Sequence, residues 1–401
     1  MMSKSIVLGF SGGLDTSFCV KYLHEDLGYD VHSVIVNTGG FSQEELENIE
    51  KHAYYLGVKT HKTVDAVQGY YDRIIKYLVF GNVLKNNTYP LSVSAERLIQ
   101  AIHIAEYAKE LGAEAVAHGS TGAGNDQVRF DMVFDIELPG VKILTPIRDL
   151  SLTREQEIEF LKKKGVTDMN FEKNKYSINK GLWGTSVGGV QTLKSREFLP
   201  DEAWPTQITK TNPEEVKLTF EKGELVGLNG QKYAHPTEAI QALQAIAGPF
   251  GIGRDIHIGD TIIGIKGRVG FEAAAPVIII KAHHSLEKYV LTKWQLSLKD
   301  NLSSFYGNYL HEGQILDPVM RDIEAFFTSS QKHVTGDVFV KLYPHYFQVE
   351  GIESKYDLMS AKFGAYGEVN KGWTGEDVRG FSKIFGNQLA IYKSVEEDAE
   401  K

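Results

Sequence analysis

A glycine-rich loop joins an apolar run to a helix-like segment near the start of this 401-residue chain. The apolar run is Ile6-Val7-Leu8, the loop continues as Ser11-Gly12-Gly13-Leu14-Asp15-Thr16-Ser17, and the helical pattern covers residues 17–27. Two glycines let backbone N–H groups approach an anion, and the first N–H groups of a helix lack intrahelical partners. Hydroxyl donors follow, and Asp15 can hold a magnesium ion that screens phosphate charge. The sequence therefore predicts a strand–loop–helix unit that binds phosphate.

The alternation of short apolar strands and longer helical patterns continues to about residue 165. It predicts strands at residues 5–10, 31–36, 58–64, 114–118 and 142–145, and helices at residues 17–27, 43–56, 94–111 and 154–164. This rhythm is typical of a parallel sheet with helices on both faces. Ligands of such sheets bind beyond the carboxyl ends of the strands, where residues 11–17 and the loop after His118 both fall. We expect these two distant loops to share one pocket.

The pattern changes after residue 164, and residues 168–213 are rich in Gly, Ser, Thr and Asn with little periodicity. Beyond them the sequence predicts a hairpin over residues 217–226 with Leu228-Asn229-Gly230-Gln231 at its turn, strands at 256–265, 277–282 and 337–342, and helices at 237–246, 285–298 and 318–329. An apolar stripe from Val378 to Val395 predicts a terminal amphipathic helix over residues 377–397. We therefore expect an α/β protein with three parts: a parallel-sheet nucleotide-binding domain (1–166), an α+β domain (167–365) and a helical tail for oligomerisation (366–401).

The amino-acid composition indicates which kind of protein this is and which kinds of partner it can bind. Apolar residues make up 42% of the chain and charged residues 24%, the ordinary balance of a folded globular protein. The net charge of −9 without a basic run argues against a nucleic-acid or anionic-membrane surface, so we expect small molecules or other subunits as partners. No signal-peptide pattern or membrane-length apolar run is evident, which predicts a cytoplasmic protein. The single cysteine, Cys19, excludes an internal disulfide and is expected to be a buried, inert thiol.

The spacing of the first loop excludes two nucleotide motifs and leaves a hydrolase motif open. Gly9, Gly12 and Gly13 do not fit G-x-G-x-x-G, and no Gly-Lys-Ser/Thr occurs, so NAD-type and Walker-type sites drop out. Residues 9–13 and 184–188 do satisfy G-x-S-x-G, the nucleophile elbow of serine hydrolases. That fold needs an earlier strand to supply an oxyanion donor, and we expect none before residue 4. The second match follows no apolar strand, so a serine hydrolase stays only as an alternative.

The second loop, residues 117–130, reads Ala-His-Gly-Ser-Thr-Gly-Ala-Gly-Asn-Asp-Gln-Val-Arg-Phe. Its three glycines leave the backbone accessible, while Thr121, Asn125, Asp126 and Arg129 supply a hydroxyl, an amide, an acid and a guanidinium. Asp126 can bind an ammonium group, and Arg129 can contact a carboxylate at two points. This mixture suits a zwitterionic amino acid, whereas a solvated turn would need neither the glycines nor the polar variety.

The two loops together resemble a known family. Residues 11–17 resemble the pyrophosphate loop of the ATP pyrophosphatase group, whose ligases and amidotransferases cleave ATP to AMP. Residues 117–130 closely resemble the second signature of the argininosuccinate synthases, and looser similarity extends through Tyr176-Ser177 and Arg268 to the tail. The resemblance implies an adenine nucleotide alpha-hydrolase-like first domain and an AMP-forming ligase of arginine biosynthesis that joins citrulline to aspartate. It further implies ATP as a substrate with Mg²⁺, no tightly bound organic cofactor, and a homotetramer held by the C-terminal helices.

The resemblance also assigns site residues. For ATP it implies Gly9, Phe10, Ser11, Gly12, Gly13, Leu14, Asp15, Thr16, Ser17, Val36 and Gly119. For aspartate it implies Thr121, Asn125 and Asp126; for citrulline it implies Asn125, Arg129, Tyr89, Ser94, Ser177 and Ser186. Asp126 is the candidate for orienting the incoming amine, and we expect no covalent nucleophile. Ser94 has an ordinary alternative role as the N-cap of a helix.

Several positions depart from the family pattern. Asn37-Thr38-Gly39-Gly40-Phe41 stands in place of Asp-x-Gly-Gln, and Asn179, Gly181 and Val187 stand where the family has acid or amide groups. Gly259 and Phe271 align with the Glu and Tyr that hold the α-amino end of citrulline, unless Asp260 or Glu272 substitutes for them. These departures suggest a divergent branch that accepts an α-N-acylated citrulline.

Two further alternatives remain at this point. A tRNA-thiolating ligase of the same group would need cysteines for sulfur transfer, for which Cys19 on an early helix is unsuited. A non-catalytic nucleotide-binding module would not need the large polar second domain.

Overall fold

The computed structural model describes residues 4–167, 175–359, 366–368 and 372–401, and the chain divides into two compact units, Met1–Lys355 and Tyr356–Lys401. The strands are β1 Lys4–Gly9, β2 Tyr29–Asn37, β3 Thr60–Asp65, β4 Ala115–Ala117, β5 Lys142–Leu144, β6 Ser177–Gly181, β7 Gly184–Gly188, β8 Glu214–Glu221, β9 Glu224–Leu228, β10 Gln231–Lys232, β11 Arg254–Asp260, β12 Lys266–Glu272, β13 Gly336–Tyr343 and β14 Tyr346–Glu353. The α-helices are α1 Leu14–Lys21, α2 Gln43–Leu56, α3 Val67–Tyr70, α4 Lys76–Phe80, α5 Ser92–Leu111, α6 Asp126–Glu137, α7 Pro146–Asp149, α8 Arg154–Lys163, α9 Pro236–Ala247, α10 Ala274–Val290, α11 Lys293–His311, α12 Pro318–Ser330, α13 Gly375–Phe385 and α14 Asn387–Ala399.

The first sheet is parallel throughout and has the strand order β3-β2-β1-β4-β5. Its central strand, β1, carries Ile6, Val7 and Leu8, none of which is exposed to solvent. The direction in which strands are added reverses between β1 and β4, and open α/β sheets bind ligands in the crevice at such a point. The loops that follow β1 and β4 therefore face the same crevice.

Helices fix this sheet on both faces. The core around α1 and α8 includes Phe18, Cys19 and Leu161, all but fully buried, and burial raises the pKa of the Cys19 thiol. The predicted burial of this cysteine is thereby confirmed. Helix α5 packs against β1 so closely that the side chain of Ile104 fills the space above Gly9.

The remainder of the first unit contains helices α9 to α12 and two antiparallel sheets, with the orders β10-β9-β8-β13-β14 and β11-β12-β7-β6. The β6–β7 hairpin attaches its sheet to the nucleotide-binding part. At its turn, Leu182 N–H donates to the carbonyl of Thr38 over 3.0 Å, and the buried Trp183 donates from Nε1 to the carbonyl of Pro90 over 2.9 Å. The hairpin therefore lies against the end of β2.

The α/β architecture of the first part is confirmed, and helix 43–56 has the predicted bounds, with a capping box between Ser42 and Glu45. Later elements differ. Residues 277–282, predicted as a strand, lie inside α10, because a short apolar run does not distinguish a strand from a buried helix. Residues 168–213, predicted to be irregular, contain β6 and β7; residues 168–174 lie outside the described part of the chain.

The second unit contains α13 and α14, separated at Gly386, where one continuous helix had been predicted. Helix α13 begins with a capping box between Thr374 and Asp377. None of its residues or those of α14 is buried, and the predicted apolar stripe is exposed along both helices. Within the described ranges, no helix has the length and apolarity needed to span a bilayer.

Candidate functional site

A cavity of about 780 Å³ opens at the crevice between β1 and β4. Its walls come from the loops after β1, β2 and β4, from α5, and from strand β6. Residues implied by the resemblance that line it are Gly9, Phe10, Ser11, Gly13, Leu14, Asp15, Thr16, Val36, Gly119, Thr121, Asp126 and Ser177. The two loops expected to share a pocket therefore do so.

The loop after β1 is held in shape by local contacts. Gly12 adopts a positive φ of 75°, and the side chain of Ile49 packs beneath it. Ser17, fully buried, donates from Oγ to the carbonyl of Gly13 over 2.7 Å and lies 3.0 Å from Nε2 of His52. Gly12 and Ser17 thus shape the loop from behind, and neither lines the cavity.

The two loops meet at Gly119. A Cβ atom at this glycine would lie 3.2 Å from Cγ2 of Thr16 and 3.5 Å from Asp15. His118, next to it, is buried, and its Nδ1 accepts from the N–H of Ser120 over 3.2 Å while Nε2 lies 2.9 Å from Oδ1 of Asp131. The imidazole therefore anchors the second loop to the middle of α6, where Asp131 lies.

Asp15 lies in the first turn of α1, where a negative charge is favourable, and is close to the buried carboxyl group of Glu157. Burial raises the pKa of Glu157 to about 8, and the charge of Asp15 adds to this rise. Near neutral pH, Glu157 therefore holds a proton and can donate a hydrogen bond to the Asp15 carboxylate. Sequence reasoning missed Glu157, because only the packing of α8 against α1 brings it to the site.

Asp126 lies between two guanidinium groups at the start of α6. Its Oδ2 accepts from Nε of Arg97 over 3.1 Å, and its Oδ1 accepts from Nη1 of Arg129 over 2.8 Å. Burial acts to raise the pKa of Asp126, but the two positive charges outweigh it and lower that pKa. Asp126 is therefore an ionised carboxylate on the cavity wall, and both of its oxygens already accept from guanidinium groups.

Arg97 links Asp126 to the rest of the wall. Its Nη2 donates to Oδ1 of Asn179 over 2.9 Å, and its Nη1 donates to Oε1 of Glu96 over 3.2 Å and to Oε1 of Gln100 over 2.9 Å. Glu96, Gln100 and Asn179 line the cavity, and none was among the candidate site residues. Glu96 and Gln100 were missed because the apolar pattern of α5 predicts which residues are buried. It does not predict which residues lie near a loop that is distant in sequence.

Of the candidate citrulline residues, only Ser177 is among the described residues that line this cavity. Tyr89 and Ser186 are buried; the Tyr89 hydroxyl accepts from Oγ of Ser92 over 3.2 Å. Ser94 is the third residue of α5, so it is not the N-cap; its Oγ lies 3.4 Å from Nδ1 of His311. Arg129 donates from Nε and Nη2 to the carbonyl of His311 and from Nη1 to Asp126. The guanidinium nitrogens that were expected to hold a carboxylate of the substrate are therefore already engaged.

Asn125 is also engaged elsewhere, since its Oδ1 accepts from the N–H of Ile262 over 2.8 Å. This bond ties the start of α6 to the turn between β11 and β12. The side chain of Asn125 is therefore directed toward the β11–β12 turn in this structure.

The serine-hydrolase geometry is not formed at either G-x-S-x-G match. Ser11 Oγ lies 3.4 Å from Oγ1 of Thr16, and no imidazole of the described residues forms a hydrogen bond with it. Ser186, expected in an irregular segment, is the central residue of strand β7 and is buried, so it does not occupy a strand-to-helix elbow.

The structure shows which side chains surround Gly259 and Phe271, two of the positions that depart from the family pattern. The imidazole of His257 and the amide of Asn86 occupy the space beside Gly259, where a Cβ would lie 2.7 Å from Nε2 of His257. Phe271 is buried and packs 5.3 Å from the ring of Tyr89. Neither proposed substitute is free: Oε2 of Glu272 accepts from Arg254, and Asp260 forms a 2.6 Å ion pair with Lys266.

A parallel sheet with a glycine-rich loop at its strand-order reversal defines a nucleotide-binding α/β protein. A model described as the arginosuccinate synthase N-terminal HUP domain matches residues 5–167, and one described as the arginosuccinate synthase C-terminal domain matches residues 176–392. The chain belongs to the argininosuccinate synthase family, and it is therefore a ligase.

Curated relatives cover the chain from end to end. An argininosuccinate synthase of Methanocaldococcus jannaschii is 40% identical over 396 residues, covering 98% of this chain and 98% of the relative. Those of Sulfolobus acidocaldarius and Xylella fastidiosa are 35% and 36% identical, covering 97% and 98% of this chain and 99% and 98% of theirs. This result excludes the three alternatives, namely a serine hydrolase, a tRNA-thiolating ligase and a non-catalytic nucleotide-binding module.

Proposed function

We propose that this chain uses ATP to join citrulline to aspartate, forming argininosuccinate, AMP and pyrophosphate. The observation that carries the proposal is the single cavity in which the phosphate-binding loop meets the second loop at Gly119. Groups that donate hydrogen bonds to phosphate and groups that can bind an amino acid therefore line the same cavity. Family membership supports the same reaction and its place in arginine biosynthesis.

In the first half-reaction, the ureido oxygen of citrulline attacks the α-phosphorus of ATP and expels pyrophosphate, which leaves a citrullyl-adenylate. The protein's part is to position the reactants and to neutralise charge. The N–H groups at the start of α1 and the hydroxyls of Ser11 and Thr16 hold the pyrophosphate. No protein nucleophile is needed.

The residues present also fit a magnesium ion that arrives with the nucleotide. Magnesium in nucleotide sites is usually bound by one or two carboxylates together with phosphate oxygens, and Asp15 supplies a carboxylate on the cavity wall. Among the described residues, no group of three or more His, Cys, Asp or Glu side chains could hold a metal by itself. When bound, the ion would screen the phosphate charges.

In the second half-reaction, the amine of aspartate displaces AMP from the activated carbon. Thr121 and Asp126 on the cavity wall bind aspartate, with Asn125 nearby, and the charge of Asp126 attracts the ammonium group. For citrulline we retain Tyr89, Ser94, Asn125, Arg129, Ser177 and Ser186 as candidates. Of these, Ser177 lines the cavity, whereas Tyr89, Ser94, Arg129 and Ser186 are buried.

A second candidate substrate is an α-N-acylated citrulline. The observation that favours it is the imidazole of His257 beside Gly259, with Glu272 and Asp260 each paired to a cation. A free α-ammonium group therefore meets no unpaired carboxylate at this point, whereas an acylated nitrogen carries no charge to be balanced. Steady-state kinetics with citrulline and with its N-acyl forms would decide; a strong preference for free citrulline would end this second proposal.

We also propose the division of the chain into residues 1–166, 167–365 and 366–401, and a homotetramer that uses the tail. The exposed apolar side chains of α13 and α14 support the second part of this proposal, because large apolar surfaces favour subunit contacts.

The reaction is tested by pyrophosphate release from ATP. Rapid release requires citrulline, and sustained release with argininosuccinate as product requires citrulline and aspartate together. Sustained release of pyrophosphate when citrulline or aspartate is left out contradicts the proposed function. So does the absence of release when both are supplied.

A further inference from the structure

A buried carboxyl group, that of Glu96, lies in the cavity wall outside both loops. Its side chain is only 3% exposed, yet it is one of the groups that line the cavity. Oε1 accepts from Nη1 of Arg97 over 3.2 Å and from Nε2 of Gln100 over 3.0 Å. Oε2 abuts Gly181 in strand β6 and has no well-aligned hydrogen bond among the described residues, although the nearby hydroxyl of Thr38 acts to lower the pKa of this carboxyl. A buried carboxylate oxygen without a well-aligned hydrogen bond is costly and requires an explanation.

Glu96 is held beside the group proposed to receive the aspartate amine. The guanidinium of Arg97 donates to Glu96 through Nη1 and to Asp126 through Nε, so one rigid group fixes both carboxyls on the same wall. The third contact of Arg97, to Asn179, ties this arrangement to the β6–β7 hairpin. The distance between the two acids is therefore set by the width of a guanidinium.

The second half-reaction needs a proton acceptor. Aspartate enters largely as an ammonium ion near neutral pH, and its nitrogen must lose protons to form the new bond to carbon. A general base works best when its pKa is near the working pH. Asp126 is unsuited, because Arg97 and Arg129 lower its pKa despite its burial.

Glu96 has the required proton affinity. Burial raises its pKa to about 7, the positive charge of Arg97 opposes this rise, and the negative charge of Asp126 adds to it. Among the described residues Tyr70 also faces Glu96, and its own pKa is raised by burial and by the charge of Glu96. Glu96 can therefore both accept and release a proton close to neutral pH.

We propose that Glu96 is the general base of the second half-reaction and takes a proton from the amine of aspartate. The ammonium group of aspartate gives one proton to the Glu96 carboxylate, which frees the nitrogen lone pair. That lone pair forms the C–N bond while the bond between carbon and the bridging oxygen of AMP breaks. AMP leaves with the electrons of the broken bond, and the second proton that the nitrogen loses passes to the phosphate of the departing AMP. The inference rests on the proposed function, since it assigns a role within the same reaction.

The test compares Glu96→Gln with wild type in two assays. Gln keeps the shape and an acceptor for Arg97 but cannot take the proton. We expect citrulline-dependent exchange of pyrophosphate into ATP, measured without aspartate, to stay within about twofold. Argininosuccinate formation at pH 7 should fall by about 100-fold, the low end of general-base effects. This deficit should shrink toward pH 9, because more of the amine then enters unprotonated. Glu106→Gln, an exposed glutamate of the same helix, is the matched control.

The outcomes separate the alternatives. If Glu96→Gln matches wild type in both assays, Glu96 has no role in the reaction. If exchange and product formation fall together, Glu96 only positions Arg97. Either result overturns the inference. If the wild type itself makes no argininosuccinate, the proposed function fails instead.

The wild type gives an independent measurement in case the variant does not fold. Product formation should lose rate as the pH falls through about 7, while the exchange reaction should not show this dependence. The same pH dependence in both assays would contradict the role of Glu96.

Discussion

Asp15 is the carboxylate of the phosphate loop that reaches the cavity, and its charge can be removed with little change of shape. We predict that Asp15→Asn lowers pyrophosphate release by at least about 100-fold, as expected when a preorganised charge at a phosphoryl-transfer site is lost. The fold should persist, because the amide can still form a hydrogen bond with Glu157. Pyrophosphate release and thermal unfolding measure the two effects, and near-normal turnover would refute the role of Asp15.

Gly119 marks the point where the two loops touch. A methyl group there would lie 3.2 Å from Cγ2 of Thr16, which is tight enough to push the loops apart by a few tenths of an ångström. We predict that Gly119→Ala raises the KM for ATP several-fold. Gly122→Ala is the control, since its methyl group would meet only Cγ of Arg148 at an ordinary 3.6 Å. Equal KM values for the two variants would contradict the prediction.

At the scale of single residues, the sequence predicted the groups that lie on glycine-rich loops and missed those supplied by helices. Asp15, Gly119 and Asp126 line the cavity as expected. Glu96 and Glu157 were missed because a glutamate within a helical pattern normally indicates solvent exposure, and only tertiary packing shows otherwise. Arg129 was expected to hold a carboxylate ligand, but the carbonyl of His311 uses two of its nitrogens.

The β6–β7 hairpin is the element that closes the cavity, and Gly40 is where it rests on the first sheet. A Cβ at Gly40 would collide with the backbone carbonyl of Lys180, which cannot move without β6. We predict that Gly40→Ala lowers the free energy of unfolding by about 1–3 kcal/mol, as overpacking does, and raises the KM for ATP.

Gly69→Ala in α3 is the matched control for this prediction, because nothing lies within 4 Å of its added methyl group. In a helix, alanine is favoured over glycine by about 1 kcal/mol. The two variants should therefore change stability in opposite directions. Urea unfolding of both measures this, and a Gly40→Ala protein as stable as wild type would rule out the contact.

At the scale of elements, the sequence predicted best where periodicity was long. The predicted strands of the first part and its helices at residues 43–56, 94–111 and 154–164 formed close to their expected bounds, whereas α3, α4, α6 and α7 were not predicted. Residues 277–282 failed because β-branched residues fill a buried helix, α10, as well as a strand. Strands β6 and β7 were missed because their glycines and serines carry little pattern. Strand β7 pairs with β12, and β6 pairs with β7.

For the molecule as a whole, buried titratable groups couple stability to pH. Burial lowers the pKa of His257 to about 4, with Lys85 adding to the effect. The unfolded chain binds a proton here below about pH 6.5 and the folded chain does not, so the contribution to stability falls as the pH drops. The expected loss is about 1.4 kcal/mol per pH unit, and about 3 kcal/mol by pH 4.

Glu96 and Glu157 oppose this trend, because their raised pKa values make the folded chain bind protons more readily over the same range. The informative quantity is therefore the difference in unfolding free energy between wild type and His257→Gln. We predict that this difference shifts against the wild type between about pH 7 and pH 4.5 in urea titrations. A difference that is independent of pH would contradict the prediction.

The exposed stripe of α13 and α14 leads to a prediction about assembly. It presents Phe381, Ile384, Phe385, Leu389, Tyr392 and Val395 to solvent. We predict that Ile384→Glu together with Leu389→Glu reduces the mass of the assembly measured by light scattering. Lys383→Glu, which also lies on α13, is the control. An unchanged mass in the double variant would exclude the tail as a subunit contact.

The place of the β6–β7 hairpin in the chain has a consequence for protein synthesis. The phosphate loop is complete once β1 and α1 have left the ribosome, but Asn179 and Lys180, which line the cavity, are made more than 150 residues later. A nascent chain therefore carries an open crevice that cannot enclose ATP with an amino acid. Translation order itself keeps the growing polypeptide from consuming ATP before the cavity is complete.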